Sequence, residues 1–389
     1  MSVRFPFFIC INLHKNLKMN IIKYSLIVFT GLSLFSCGTN RALNENGQAG
    51  VKNVIYMIGD GMGLAHVTAM MIEQKYEPCA FDRAEAVGLV KTFSANNRIT
   101  DSAAAGTALA TGNKTNNGML GLTPGGDTIQ SILSRAGIFG KKTGIVVTCE
   151  IENATPAAFY AHVDNRSKSA EIALQLSHDS IDVLFGGGMK YFNGRDDGID
   201  LVKNLKAKNY QVFDKWTDAI QVKNGKVAAF VAPGHLPYHD DGRGDFLPEA
   251  TSKALEILTN DSQASGNKGF FMMVEGSQID WASHGNQFSK LLHEMNDFEK
   301  SVKIAFDYAD AHPGTLVVVT ADHETGGLIM PSGNVDFTKS ESGIDYKFGS
   351  VSHTGIMVPL FAYGKGAANF TGIFDNTDVP KIINKLLGL

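Results

Sequence analysis

The sequence predicts an α/β fold, a three-layer sandwich whose mostly parallel central sheet carries helices on both faces. Three observations lead there. Short apolar runs rich in β-branched and aromatic residues alternate along the chain with stretches of helical periodicity. Forty-one glycines among 389 residues supply many tight loops around a sheet. Acidic and histidine residues sit just beyond several of the apolar runs, where the strand ends of an open α/β sheet gather ligands at one edge.

In chain order, Val51 to Ile58 is the first strand, closed by Gly59-Asp60-Gly61. Thr128 to Ala136 has helical spacing and leads into the apolar run Gly144 to Thr148. Ser167 to Leu176 repeats the pattern before Ile181 to Phe185, which ends in three glycines. Leu247 to Thr259 is helical and Phe270 to Val274 a strand; Lys290 to His312 and Thr315 to Thr320 follow as the next such pair. Ile356 to Tyr363 is the last strand and Val379 to Leu387 the last helix. Asn193 to Arg243 and Pro331 to Ser352 are less regular and are expected as surface insertions in one domain spanning 51–389.

Composition sets outer limits. With 44% hydrophobic and 19% charged residues the chain is ordinary globular material. A net charge of -4 gives no electrostatic basis for binding nucleic acid.

The N-terminus reads as an export signal. Lys18 and Lys23 precede the apolar stretch Tyr24 to Leu34, and Leu34-Phe35-Ser36-Cys37-Gly38 resembles a bacterial lipobox. Residues 1–37 are therefore expected to be a signal and lipobox region with Cys37 as a lipid anchor, and 38–50 a short linker. Met19 is an alternative start, and plain secretory cleavage or a retained anchor are the competing readings. The chain is expected to be exported, to the periplasm or as an outer-membrane-anchored lipoprotein. Whether Cys79 and Cys149 pair does not follow from the sequence.

The chemistry-bearing segments come one by one. Asp60 stands between glycines at the end of a strand, which alone is equally well a turn. Thr100-Asp101-Ser102 precedes a run of helix formers, so Ser102 belongs at a helix N-terminus, where free N–H groups favour an anion. An ordinary helix cap is the commoner explanation of such a serine. Glu275 ends a strand, and Asp280 and His284 are four residues apart, on one face of a helix at chelating separation. Asp322 and His323 follow a buried-type strand, and His353 lies just before the last one. The loop holding His235, His239, Asp240, Asp241 and Arg243 is read as a mobile surface loop in preference to a metal site.

Taken together these segments resemble the alkaline phosphatase family, from about Lys52 to Leu389. Gly59-Asp60-Gly61-Met62-Gly63, Thr100-Asp101-Ser102-Ala103-Ala104, Asn153-Ala154-Thr155-Pro156-Ala157, His162-Val163-Asp164-Asn165-Arg166, Val274-Glu275-Gly276 with Asp280 and His284, Thr320-Ala321-Asp322-His323 and His353-Thr354-Gly355 occur in family order. The resemblance implies hydrolysis of small phosphate monoesters through a phosphoserine at Ser102, with Arg166 clamping phosphate. It implies one zinc ion on Asp280, His284 and His353, a second on Asp60, Asp322 and His323, and a magnesium ion near Asp60, Thr155 and Glu275. Asp101 would orient Arg166, and a homodimer is usual in the family.

Two positions depart from the best-known bacterial pattern. Asn153 stands where that pattern has aspartate, and Trp281 where it has lysine; the first is expected to weaken magnesium binding and the second to loosen the hold on phosphate. Competing functions are a phosphodiesterase of the same superfold and a non-catalytic phosphate-binding lipoprotein. A sulfatase would need a Cys-x-Pro-x-Arg segment, which the sequence lacks.

Overall fold

The computed structural model describes residues 50–333 and 337–389. The proposed signal, Cys37 and Met19 lie outside the described residues. The α/β reading holds. Across the main sheet the strands run Gly372–Asp375, Ala86–Lys91, Val358–Gly364, Thr315–Thr320, Asn53–Gly59, Phe270–Gly276, Lys142–Glu150, Val183–Gly187, Val227–Phe230 and Gln211–Phe213. Val358–Gly364 pairs antiparallel with both neighbours, and the other pairings are parallel.

The three central strands are buried along their whole length, as strands covered on both faces must be. Tyr56 meets Phe159 and Phe271 edge to face there, with centroids 6.2 and 6.3 Å apart, and the two phenylalanines lie tilted at 6.4 Å. Burial of each such ring stabilises the fold by roughly 1.5–3 kcal/mol. The long helices Phe246–Ala264 and Phe288–Ala311 pack on each other and on the sheet.

Register decides where the chemistry lands. Ile58 is level with Glu275 on one side and Thr320 on the other. The turns that follow therefore deliver Asp60, Asp280 and Asp322 to one edge. Val147 is level with Glu275 too, so Asn153 and Thr155 come off that edge after Lys142–Glu150. The reversed strand solves a separate problem. Because Leu360 pairs with Thr320, the start of Val358–Gly364 faces the same edge, and His353 arrives there ahead of a strand instead of after one. A two-stranded ribbon pairing His353 with Thr325 holds it in place.

The region 193–243 differs from a surface insertion. It contributes Gln211–Phe213 and Val227–Phe230 to the main sheet, and its helix Leu201–Ala207 buries Leu201 and Leu205. In 331–352, Thr338–Lys339 and Asp345–Phe348 join Leu328–Ile329 in a small antiparallel sheet. Cys79 and Cys149 are both buried and free, so they form no disulfide. No helix among the described residues is long and apolar enough to cross a membrane.

Candidate active site

Ser102 is the first residue of the helix Ser102–Thr111, and Asp101 is its cap. One carboxylate oxygen of Asp101 accepts from the Ala104 N–H at 3.0 Å. Its other oxygen accepts from the Gly118 N–H at 2.9 Å and pairs with Nη1 of Arg166 at 3.5 Å. Asp101 thus ties the helix start to the arginine. The hydroxyl of Ser102, 3% exposed, lies 3.2 Å from Nε2 of His323.

Two ligand groups flank this serine. Asp280, His284 and His353 offer donor atoms that all lie within 4.8 Å of one another, as do Asp60, Asp280 and His323. In the first group the spacings are 3.4 Å from Asp280 to His284, 3.6 Å from Asp280 to His353 and 3.1 Å between the two histidines. In the second, Nε2 of His323 is 3.2 Å from Asp322 and 3.5 Å from Asp60. Two donors bound to one ion at about 2.1 Å each lie about 3.4 Å apart in tetrahedral geometry, so these separations suit shared cations. Asp322 thus lies beside the second group, and Asp280 belongs to both.

Each imidazole is held through Nδ1. His284 and His353 present Nδ1 to the carbonyls of Val351 at 2.7 Å and Thr100 at 2.9 Å. A ring that donates from Nδ1 to a carbonyl leaves the Nε2 lone pair free for an ion. Nδ1 of His323 faces the hydroxyl of Thr325 at 3.2 Å. That same hydroxyl donates to Asp280 at 2.5 Å. Sequence reasoning missed Thr325; its only signal was a position two residues past His323, in what reads as a glycine turn.

Close packing also fixes the backbone. Gly61 has φ +72°, and a Cβ there would stand 2.9 Å from Asp280 Cα, so only glycine lets this turn approach. Its N–H donates to Asp322 at 3.1 Å.

A third set lies alongside. Among the described residues, Thr155 Oγ1, Glu275 Oε1, Asp60 Oδ1 and Asp322 Oδ2 are buried without a hydrogen-bond partner. Buried orphan oxygens in one place are costly unless a cation takes them up. They fit a hard divalent ion. Asn153 caps the short helix Ala154–Ala157 with its side-chain oxygen on the Ala154 N–H at 2.8 Å. Trp281 stacks edge to face on His235 at 4.2 Å, and His235 pairs with Glu150. Arg166, Asn153, Glu150, Glu152, Lys190 and His235 line a cavity of about 350 Å³.

Charge confirms the crowding. Burial and then the charges of Asp322, Asp280 and Glu275 push the Asp60 carboxyl well above its ordinary range. Burial raises Glu275 to about 7. Burial also works to raise Asp280, but its hydrogen bond with His284 and the neighbouring imidazoles outweigh that and hold it low. His284 is correspondingly raised, chiefly by that hydrogen bond. Burial lowers His323.

Comparison with known proteins points one way. Residues 51–345 match the model of the alkaline phosphatase family. The chain is 32% identical to alkaline phosphatase 4 of Bacillus subtilis, over 97% of this chain and 98% of that one. It is 31% identical to the alkaline phosphatase of Escherichia coli, over 87% and 86%. The solved alkaline phosphatase of the Antarctic bacterium TAB5 is similar in fold, with a TM-score of 0.80 at 35% identity, covering 87% of this chain and 98% of that one. A mutant of the TAB5 enzyme is described with magnesium bound in its M3 site.

Proposed function

This chain belongs to the alkaline phosphatase family of metal-dependent phosphomonoesterases, and on that premise we propose that it works through a phosphoserine at Ser102 with two zinc ions and one magnesium ion. Asp280, His284 and His353 would hold one zinc ion, and Asp60, Asp322 and His323 the other. Asp60, Thr155 and Glu275 would hold magnesium, a reading supported by their unpartnered buried oxygens. When bound, such ions stabilise developing negative charge and favour the ionised form of a hydroxyl or water.

The chain's own groups do the rest. Ser102 attacks phosphorus from the helix N-terminus, giving up its hydroxyl proton as the bond from phosphorus to the ester oxygen breaks and the substrate alcohol leaves with a proton. Unpaired N–H groups there favour the anionic group that the serine receives. Arg166 offers a planar fork to two nonbridging oxygens, which a monoester leaves free and a diester does not. Asp101, paired with Nη1 of Arg166, would hold that fork in place. Water then cleaves the phosphoserine and frees inorganic phosphate. The observation that carries this reading is Ser102 Oγ standing within 3.2 Å of a His323 nitrogen that two carboxylates also face.

Hydrolysis of p-nitrophenyl phosphate and of its bis-ester, each with and without chelator, tests it. Chelator-sensitive turnover of the monoester alone is expected. Preference for the bis-ester would make the protein a diesterase, and binding of phosphate without turnover of either would make it a binding lipoprotein. As an exported enzyme, it would release phosphate from esters that do not cross the membrane.

A further inference from the structure

We propose that His239, Asp245 and Asp297 form an additional divalent-cation site, made of residues that the Ser102 centre does not use, which pins the 235–245 loop to the helix Phe288–Ala311. The donor atoms of these three residues lie within 4.8 Å of one another. Nε2 of His239 is 3.5 Å from Oδ1 of Asp245, which matches the 3.4 and 3.6 Å separations of Asp280 from His284 and His353.

A second observation points to a ligand. Asp297 is 1% exposed and its Oδ1 has no hydrogen-bond partner among the described residues. The side-chain cations nearby bind these same carboxylates but leave Oδ1 of Asp297 untouched. Arg243 pairs with Oδ2 of Asp297 at 2.8 Å and with Glu294 at 2.6 Å, and Lys300 pairs with Asp245 at 2.7 Å. Asp245, Glu294 and Asp297 thus face two cationic side chains, which leaves negative charge uncompensated. One imidazole and two carboxylates suit a borderline ion such as zinc or manganese better than calcium, which prefers an all-oxygen shell.

The loop is not the mobile segment that its composition suggests. Arg243 has no exposed side-chain surface, and the His239 N–H donates to Glu294 at 2.8 Å. The same loop carries His235 to Trp281 beside the cavity that Arg166 lines. An ion at its far end would therefore steady one wall of that cavity.

The test counts ions. Wild type, His239→Gln and Asp245→Asn are saturated with zinc or with manganese, dialysed, and their metal measured per chain. Asp245 is half exposed, so its amide variant leaves the buried Arg243 pairs intact. One ion fewer per chain is expected in both variants, together with loss of part of the manganese-dependent rise in unfolding temperature. Equal ion content in Asp245→Asn and wild type would overturn the proposal.

Discussion

The hydroxyl of Ser102 and Nε2 of His323 are 3.2 Å apart, yet they do not form a serine–histidine catalytic pair. In such a pair the far ring nitrogen meets a carboxylate, whereas Nδ1 of His323 meets the Thr325 hydroxyl. It is Nε2 that faces the carboxylates of Asp60 and Asp322. An ion-ligating histidine is built this way. Ser102→Ala should therefore lower kcat on the order of 10³-fold or more while leaving metal content unchanged. Turnover would be followed alongside metal analysis, and a nearly normal rate would remove Ser102 from the mechanism.

Asp101 has two jobs that substitution can separate. Asn caps a helix about as well as Asp but cannot accept from both Ala104 and Gly118, so Asp101→Asn should keep the cap while losing the Gly118 contact and weakening the hold on Arg166. The arginine is about one-third exposed, which limits the pair to roughly 0.5–1 kcal/mol and the loss in kcat/KM to about two- to fivefold. Asp101→Ala should show the same kinetic loss and also about 1 kcal/mol lower stability. Denaturant curves that fail to distinguish the two variants would refute the division.

Asn153 spends its oxygen on the Ala154 N–H and brings no charge to Thr155 and Glu275. Asn153→Asp should tighten magnesium activation by about tenfold, the usual scale for groups that support a metal ligand. The half-saturating magnesium concentration is the quantity to measure. No change would mean that the charge at 153 does not reach the ion.

Glu152 is 2% exposed, neither of its oxygens has a hydrogen-bond partner among the described residues, and burial raises it to about 8. The folded protein therefore holds this proton more tightly than the unfolded chain does. Stability from this group is fully present below about pH 4.5 and is lost as pH rises through about 8. Glu152→Gln should leave unfolding temperature unchanged near pH 4.5 and raise it at pH 9, by the equivalent of about 1–3 kcal/mol. A difference that does not vary with pH would contradict this.

Much of this was legible because buried strands advertise themselves. Val51 to Ile58, Phe270 to Val274 and Thr315 to Thr320 are apolar on both faces, and the residues after them had to emerge together. The marginal strands were not legible. In Ala86–Lys91 the outward positions Val87 and Leu89 are apolar, which hides the alternation, and Gln211–Phe213 has only three residues, too few for periodicity to register. The polar loop near His239 misled for another reason. Its charges pair with residues of Phe288–Ala311, some fifty positions away, and local sequence carries no trace of such partners.

Asp280 belongs to both ligand groups, and the Thr325 hydroxyl touches Asp280 and His323 at once. Neither pocket can fill or empty without altering the field in the other, and such linkage is reciprocal. Two divalent ions that draw on the same carboxylate also repel each other, so loading should be anticooperative. A molecule that has surrendered one ion would hold its neighbour more tightly, so singly charged protein should be well populated between the empty and the complete forms.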